Sequence, residues 1–205
     1  EVMIEYQKGD LVREKTTKFR LDTLAPKVNI DLSPKPFSPD NDGVNDELTI
    51  GIEVDDISPI AGWTMVIYDP TGSLFTSFKG RGKPGKEIIW NGLSDDGELV
   101  QSAYDYTLAF FIQDDLGNQQ EIQKIIPVDV LVIRDGNDFK IRISSITFPP
   151  NSADLTEVTG EKANQNSRTL VRLGEIFEKY GRYTILIEGH ANQMKYLDTI
   201  AEQIK

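Results

Sequence analysis

In Phe37-Ser38-Pro39-Asp40-Asn41-Asp42-Gly43-Val44-Asn45-Asp46, three carboxylates and two asparagines fall within seven residues, with Gly43 among them for a sharp turn. Two readings of Asp40, Asp42 and Asp46 stay open. Aspartate and asparagine bond their own backbone and so shape turns without help. The same hard oxygens are what calcium prefers, although the glycine and the bidentate glutamate are not where an EF-hand loop puts them. The turn is the preferred reading, and calcium is the one cofactor the chain suggests.

Outward from this stretch the sequence alternates short β-branched or aromatic runs with turn clusters. Val28 to Leu32, Trp63 to Tyr68, Glu87 to Trp90, Tyr106 to Ile112 and 122–132 read as strands. They are separated by Asp69-Pro70-Thr71-Gly72, Lys83-Pro84-Gly85, Asp95-Asp96-Gly97 and Asp115-Leu116-Gly117-Asn118. Strands at that spacing predict a β-sandwich over residues 26–133. Glu53, Asp55 and Asp56, beside Ser58-Pro59, read as a solvated loop rather than an acid pair.

The opening stretch is similar to the "F-S-P-N-x-D-G-x-N-D" start of the FlgD-type immunoglobulin-like (Ig-like) domain of exported bacterial proteins. Trp90-Asn91-Gly92, Asp96-Gly97 and the Tyr104 to Tyr106 strand resemble the same family's "W-D-G-x-x-x-x-G … G-x-Y". The resemblance implies a spacer or an assembly surface.

Residues 1–25 read as the end of a preceding β-rich domain. Val2, Ile4 and Tyr6 alternate, Lys8-Gly9-Asp10 supplies a turn, and Phe19 and Leu21 continue the alternation on the way out. A lone hairpin is marginal in water and needs a partner sheet. Asp22-Thr23-Leu24-Ala25-Pro26 resembles the "D-x-x-A-P" joint between tandem bacterial Ig-like modules, so further chain is expected upstream.

On the other side, Ile133-Arg134-Asp135-Gly136-Asn137-Asp138 reads as a turn between Val130-Leu131-Val132 and a strand, Phe139 to Ile143, leaving few linker residues and a restricted angle between domains. Leu170, Leu173, Ile176, Phe177 and Tyr180 recur at helical spacing as a core stripe, and Gly181 stops the helix. Ile185-Leu186-Ile187 is short enough for a buried strand, and Glu188 to Asn192 forms its polar tip. A further apolar stripe, from Met194 to Ile204, predicts a second helix.

Ile143 to Phe148, Asn151-Ser152-Ala153-Asp154-Leu155 and Ile187-Glu188-Gly189-His190-Ala191-Asn192 together resemble the C-terminal domain of the OmpA family. That resemblance implies an α/β (α+β) OmpA-like βαβα domain over 134–205, with a peptidoglycan site of which Glu188, His190 and Asn192 are the degenerate remnant. In the family an aspartate stands where this chain has Asn192 and pairs with the ammonium of the stem peptide. An amide cannot neutralise that charge. The arginine that would bind the stem carboxylate is absent from 193–205. A complete domain of the family continues further, so residues beyond Lys205 are expected.

The chain has 205 residues, a net charge of -11 and no cysteine. The charge disfavours nucleic acid and anionic lipid as partners, and the absence of cysteine excludes disulfides and thiolate metal sites. No apolar run approaches the roughly 20 residues of a membrane span. His190, the only histidine, lacks the second histidine or cysteine that a metal motif needs. There is no phosphate loop, nucleophile elbow or kinase set. The expectation is a multi-domain, non-catalytic protein of the bacterial periplasm or outer membrane, an all-β Ig-like sandwich followed by the OmpA-like domain. Its peptidoglycan binding is lost or weakened, with other envelope proteins as partners; functional tethering to the cell wall is the alternative.

Overall fold

The computed structural model describes residues 2–8, 11–18, 21–143 and 146–188. The chain opens with a hairpin of β1 (Val2–Lys8) and β2 (Leu11–Thr17), in register from Val2 opposite Thr17 to Lys8 opposite Leu11. Among the described residues it touches no other strand or helix.

Seven strands then build a sandwich. One sheet has the order β3-β4-β7, with β3 at Lys27–Ser33, β4 at Leu48–Asp55 and β7 at Glu87–Trp90. The other has the order β6-β5-β8-β9, with β5 at Ile60–Tyr68, β6 at Leu74–Arg81, β8 at Asp105–Asp114 and β9 at Gln119–Pro127. All these ladders are antiparallel. Alternation decides the faces. Leu48, Ile50, Ile52 and Val54 of β4 meet Met65 and Ile67 of β5 and Tyr106, Leu108 and Phe110 of β8 in one core.

Two strands were not expected. β4 carries a clean alternation, Leu48, Ile50, Ile52 and Val54, with Thr49, Gly51, Glu53 and Asp55 on its other face, and β6 mixes Lys79, Gly80 and Arg81 into its edge. Glu53 and Asp55 accordingly lie on β4 with their side chains outward, not in a loop. The run 122–132 is a strand only to Pro127. Beyond it backbone bonds reach only to Asp129, and side chains hold the residues that follow. Leu131 N–H donates to Ser102 Oγ at 3.0 Å, Val132 N–H to Asp40 Oδ2 at 2.9 Å, and Val128 makes a single parallel bridge with Phe37.

Residues 134–188 differ most from expectation. The Ile133 to Asp138 turn is the tip of a small hairpin, β10 (Ile133–Asp135) with β11 (Asp138–Lys140), closed by a Lys140–Asp135 ion pair. The strand does not extend to Ile143. Ile141 and Ile143 instead pack into a second small core with Ala103, Val130, Val132, Leu173, Ile176 and Tyr180. A 3-10 turn, Leu155–Glu157, is capped by Asp154, and α1 spans Glu161–Lys179. Leu170, expected in the core stripe, is exposed, because the inward face is Asn166, Thr169, Leu173 and Ile176. Buried Asn166 bonds both backbone groups of Thr147 at 2.8 Å, which an apolar side chain could not do. Ile185, Leu186 and Ile187 form no strand and are exposed: none of the described strands lies alongside to pair with them.

Candidate functional site

The Phe37 to Asp46 stretch is a loop anchored at one end by an aromatic ring. Phe37 is fully buried, its ring 5.4 Å from that of Trp90, and Phe75 and Tyr106 complete the aromatic cluster. Its backbone is fixed on both sides, N–H to Pro127 O at 3.0 Å and O from Asp129 N–H at 2.8 Å. Gly92 has φ 79°, and a Cβ there would stand 2.7 Å from Pro39 Cγ. The phenylalanine and proline of one motif therefore require the tryptophan and glycine of the other.

Past Pro39 the loop folds around Asp46. Asp46 Oδ1 accepts from Asn41 N–H at 2.6 Å, Asp46 Oδ2 from Gly43 N–H at 2.7 Å, and Asp42 Oδ1 from Val44 N–H at 2.8 Å. Asn41, Gly43 and Asn45 have φ of 64°, 88° and 62°, the left-handed region these residue types tolerate. These bonds are those of a turn.

One carboxylate oxygen from each of Asp40, Asp42 and Asp46 lies within 4.8 Å of the others, so the sequence-predicted trio does come together. Asp40 Oδ2 holds Val132 N–H, while Asp40 Oδ1 is buried with no hydrogen-bond partner. Burial pushes the Asp40 carboxyl above its ordinary range; the Val132 N–H opposes this, and the charges of Asp42 and Asp46 add to it. Lys179 Nζ, at the end of α1, stands 3.9 Å from Asp42 Oδ2. Calcium would suit these ligands, but most of their oxygens already serve backbone donors.

Close by, α1 is fastened to the sandwich. Arg172 Nε and Nη2 donate to Asp129 Oδ1 and Oδ2 at 2.7 and 2.6 Å, a bidentate fork, and Arg172 Nη1 donates to Glu175 at 2.5 Å. Asp129, first through its hydrogen bonds and then Glu175, raises the guanidinium above its already high range. Gln165 Nε2 donates to Ala103 O at 2.7 Å. The second core lies beneath these contacts. Neither Asp129 nor Arg172 belongs to a motif that could have flagged it; the only hint was an arginine flanking Leu173 on an amphipathic helix.

Of the degenerate peptidoglycan residues, Glu188 is exposed beyond the helix, while His190 and Asn192 lie outside the described residues. No helix among the described residues is long and apolar enough to cross a membrane.

No protein-family model matches the chain, and no curated protein matches it. Among solved structures it is similar to dimeric latent PorU from Porphyromonas gingivalis at 18% identity and a TM-score of 0.41, over 60% of this chain and 11% of that one. The PKD1 domain of the Vibrio cholerae metalloprotease PrtV aligns at 15% identity and a TM-score of 0.34, over 52% of this chain and 99% of that one. FlgD from P. aeruginosa aligns at 13% identity and a TM-score of 0.30, over 53% and 80%. The Ig-like sandwich is read from the strand pairing itself.

Proposed function

We propose that this chain is a non-catalytic structural and interaction module of an exported bacterial envelope protein. In this reading an FlgD-type Ig-like sandwich acts as a spacer that holds the following OmpA-like segment, 134–205, at a fixed angle. The supporting observation is the Asp129–Arg172 fork: a bidentate contact between a buried aspartate of the sandwich and a half-exposed arginine of the helix favours a rigid joint over beads on a flexible string. The periplasmic or outer-membrane setting follows from the two resemblances.

Peptidoglycan binding by the OmpA-like segment is lost or weakened in this reading, because Asn192 replaces the acid that would pair with the stem-peptide ammonium. Sedimentation with insoluble peptidoglycan tests it. Unmodified protein stays in the supernatant. Asn192→Asp restores one charged hydrogen bond, worth about 1.5–3 kcal/mol, or at most about a hundredfold in affinity, and gives weak, salt-sensitive retention. Strong retention of the unmodified protein would favour the alternative, a functional cell-wall tether.

A further inference from the structure

At the opposite pole of the sandwich from α1, three carboxylates meet that are far apart in the chain. Asp22 precedes β3, Asp56 lies between β4 and β5, and Asp114 ends β8; one oxygen of each stands within 4.8 Å of the others. Oxygens around a calcium ion at 2.3–2.6 Å are spaced up to about 5 Å apart, so the group is already at ligand spacing.

Two features separate it from an ordinary acidic surface. Asp114 is 1% exposed, and its carboxylate is held by Leu116 N–H, Asn118 N–H and Asn118 Nδ2 at 2.7–2.9 Å. Asp56 gives Oδ1 to Ser58 N–H at 3.0 Å, whereas its Oδ2 is sealed from solvent and accepts no hydrogen bond. Neither Asp56 nor Asp114 has a lysine or arginine partner among the described residues. A carboxylate oxygen sealed from solvent with no donor, on a residue grouped with two further acids, is an uncompensated polar atom.

The surroundings are built to hold these groups. Ser58, 3% exposed, donates its hydroxyl to Asp22 Oδ2 at 2.6 Å and so couples Asp22 to Asp56. Asn118 Nδ2 reaches both Asp22 O, at 3.2 Å, and Asp114 Oδ2. The Ser58 hydroxyl and the Asp22 carbonyl are further oxygens at the same place. The loop around Asp46 also holds a buried oxygen without a partner, Asp40 Oδ1, but its acids come from one short stretch and have Lys179 Nζ 3.9 Å from Asp42 Oδ2.

We propose that Asp22, Asp56 and Asp114 form a calcium-class divalent cation site that fastens the segment leading out of the β1–β2 hairpin onto the sandwich. Asp22 is the ligand brought by that segment; Asp56 and Asp114 are brought by the sandwich. Binding therefore sets how the preceding hairpin leaves this pole.

Calorimetric titration of the 205-residue chain with calcium tests the proposal. Half-saturation is expected at about 0.1–1 mM, the range of extracellular modules. At tenfold excess over Kd the melting midpoint rises by about 3–6 °C. Trypsin cleavage after Lys18 slows in parallel. Asp56→Asn keeps the Ser58 bond and places a donor where the unpartnered oxygen was. It should weaken calcium at least tenfold and leave the calcium-free protein at least as stable as the original, an effect of opposite sign to that of losing a purely structural aspartate. No heat of binding up to about 10 mM calcium would overturn the proposal. So would an Asp56→Asn variant that binds like the original, or one destabilised or unfolded without calcium.

Discussion

Arg172→Ala removes the fork between α1 and the sandwich, and its cost can be bracketed from the structure. Breaking a fully buried ion pair by deleting one partner costs about 3–5 kcal/mol, and an exposed pair contributes about 0–1 kcal/mol. Here Asp129 is 7% exposed but Arg172 is 45% exposed. Water can therefore reach the vacated guanidinium position, and Asp129 keeps the Val130 N–H at 2.7 Å. The expected loss is about 2–3 kcal/mol, a fall in the melting midpoint of roughly 5–10 °C for a chain of this size. Arg172→Lys should fall between the two, since it keeps the charge and loses the fork.

The effect should be local. Hydrogen exchange of α1 amides should accelerate in Arg172→Ala while that of β5 and β8 amides changes less, because those strands belong to the main core and the helix sits on the smaller one. A double-mutant cycle with Asp129→Asn should return a coupling of about 1–2 kcal/mol. A loss below about 0.5 kcal/mol, or equal acceleration everywhere, would refute the rigid joint and with it the spacer reading.

Gly92→Ala should cost about 2–4 kcal/mol in urea unfolding, from the left-handed φ and from overpacking against Pro39 and Phe37. Asp40→Asn should stabilise the protein at neutral pH. A carboxyl raised in the folded state favours folding while protonated, and stability falls as pH climbs from the unfolded value of 3.8 through the folded one; the variant should flatten that part of a pH–stability curve. Asp69, Asp114, Asp135 and Asp154 are lowered, so their contributions are present above about pH 4 and are lost as pH falls through their folded values, which acid titration of the unfolding midpoint would register. Asp42→Ala separates the two readings of the loop: a turn predicts an unchanged calcium response, and a response abolished by this change alone would place the ion there.

The sandwich was legible because its signals are local and mutually consistent. Turn dipeptides bounded the strands, and two motifs written fifty residues apart proved to be one contact, Gly92 making room for Pro39 and Trp90 packing on Phe37. β6 escaped where charge and glycine diluted its pattern, and β4 escaped although its alternation of Leu48, Ile50, Ile52 and Val54 is intact, its outward acids Glu53 and Asp55 reading as loop. In the C-terminal segment apolar patterning misled in both directions. It placed a strand at 185–187, where no described neighbour supplies the hydrogen bonds, and it counted Leu170 as core although buried Asn166 and Thr169 turn the helix to another face. The acidic residues show the limit most sharply. Asp40, Asp42 and Asp46 announced themselves by spacing, and three of their six carboxylate oxygens are held by the loop's own backbone, while Asp40 Oδ2 takes Val132 N–H and Asp40 Oδ1 is buried without a partner. Asp22, read only as the start of a joint, Asp56, read as solvated loop, and Asp114, unremarked, are brought together only when the chain folds at one pole of the sandwich. Spacing in sequence finds the first trio, whereas the second is the product of long-range folding; each holds one buried oxygen that lacks a donor, and it is there that a ligand has something to add.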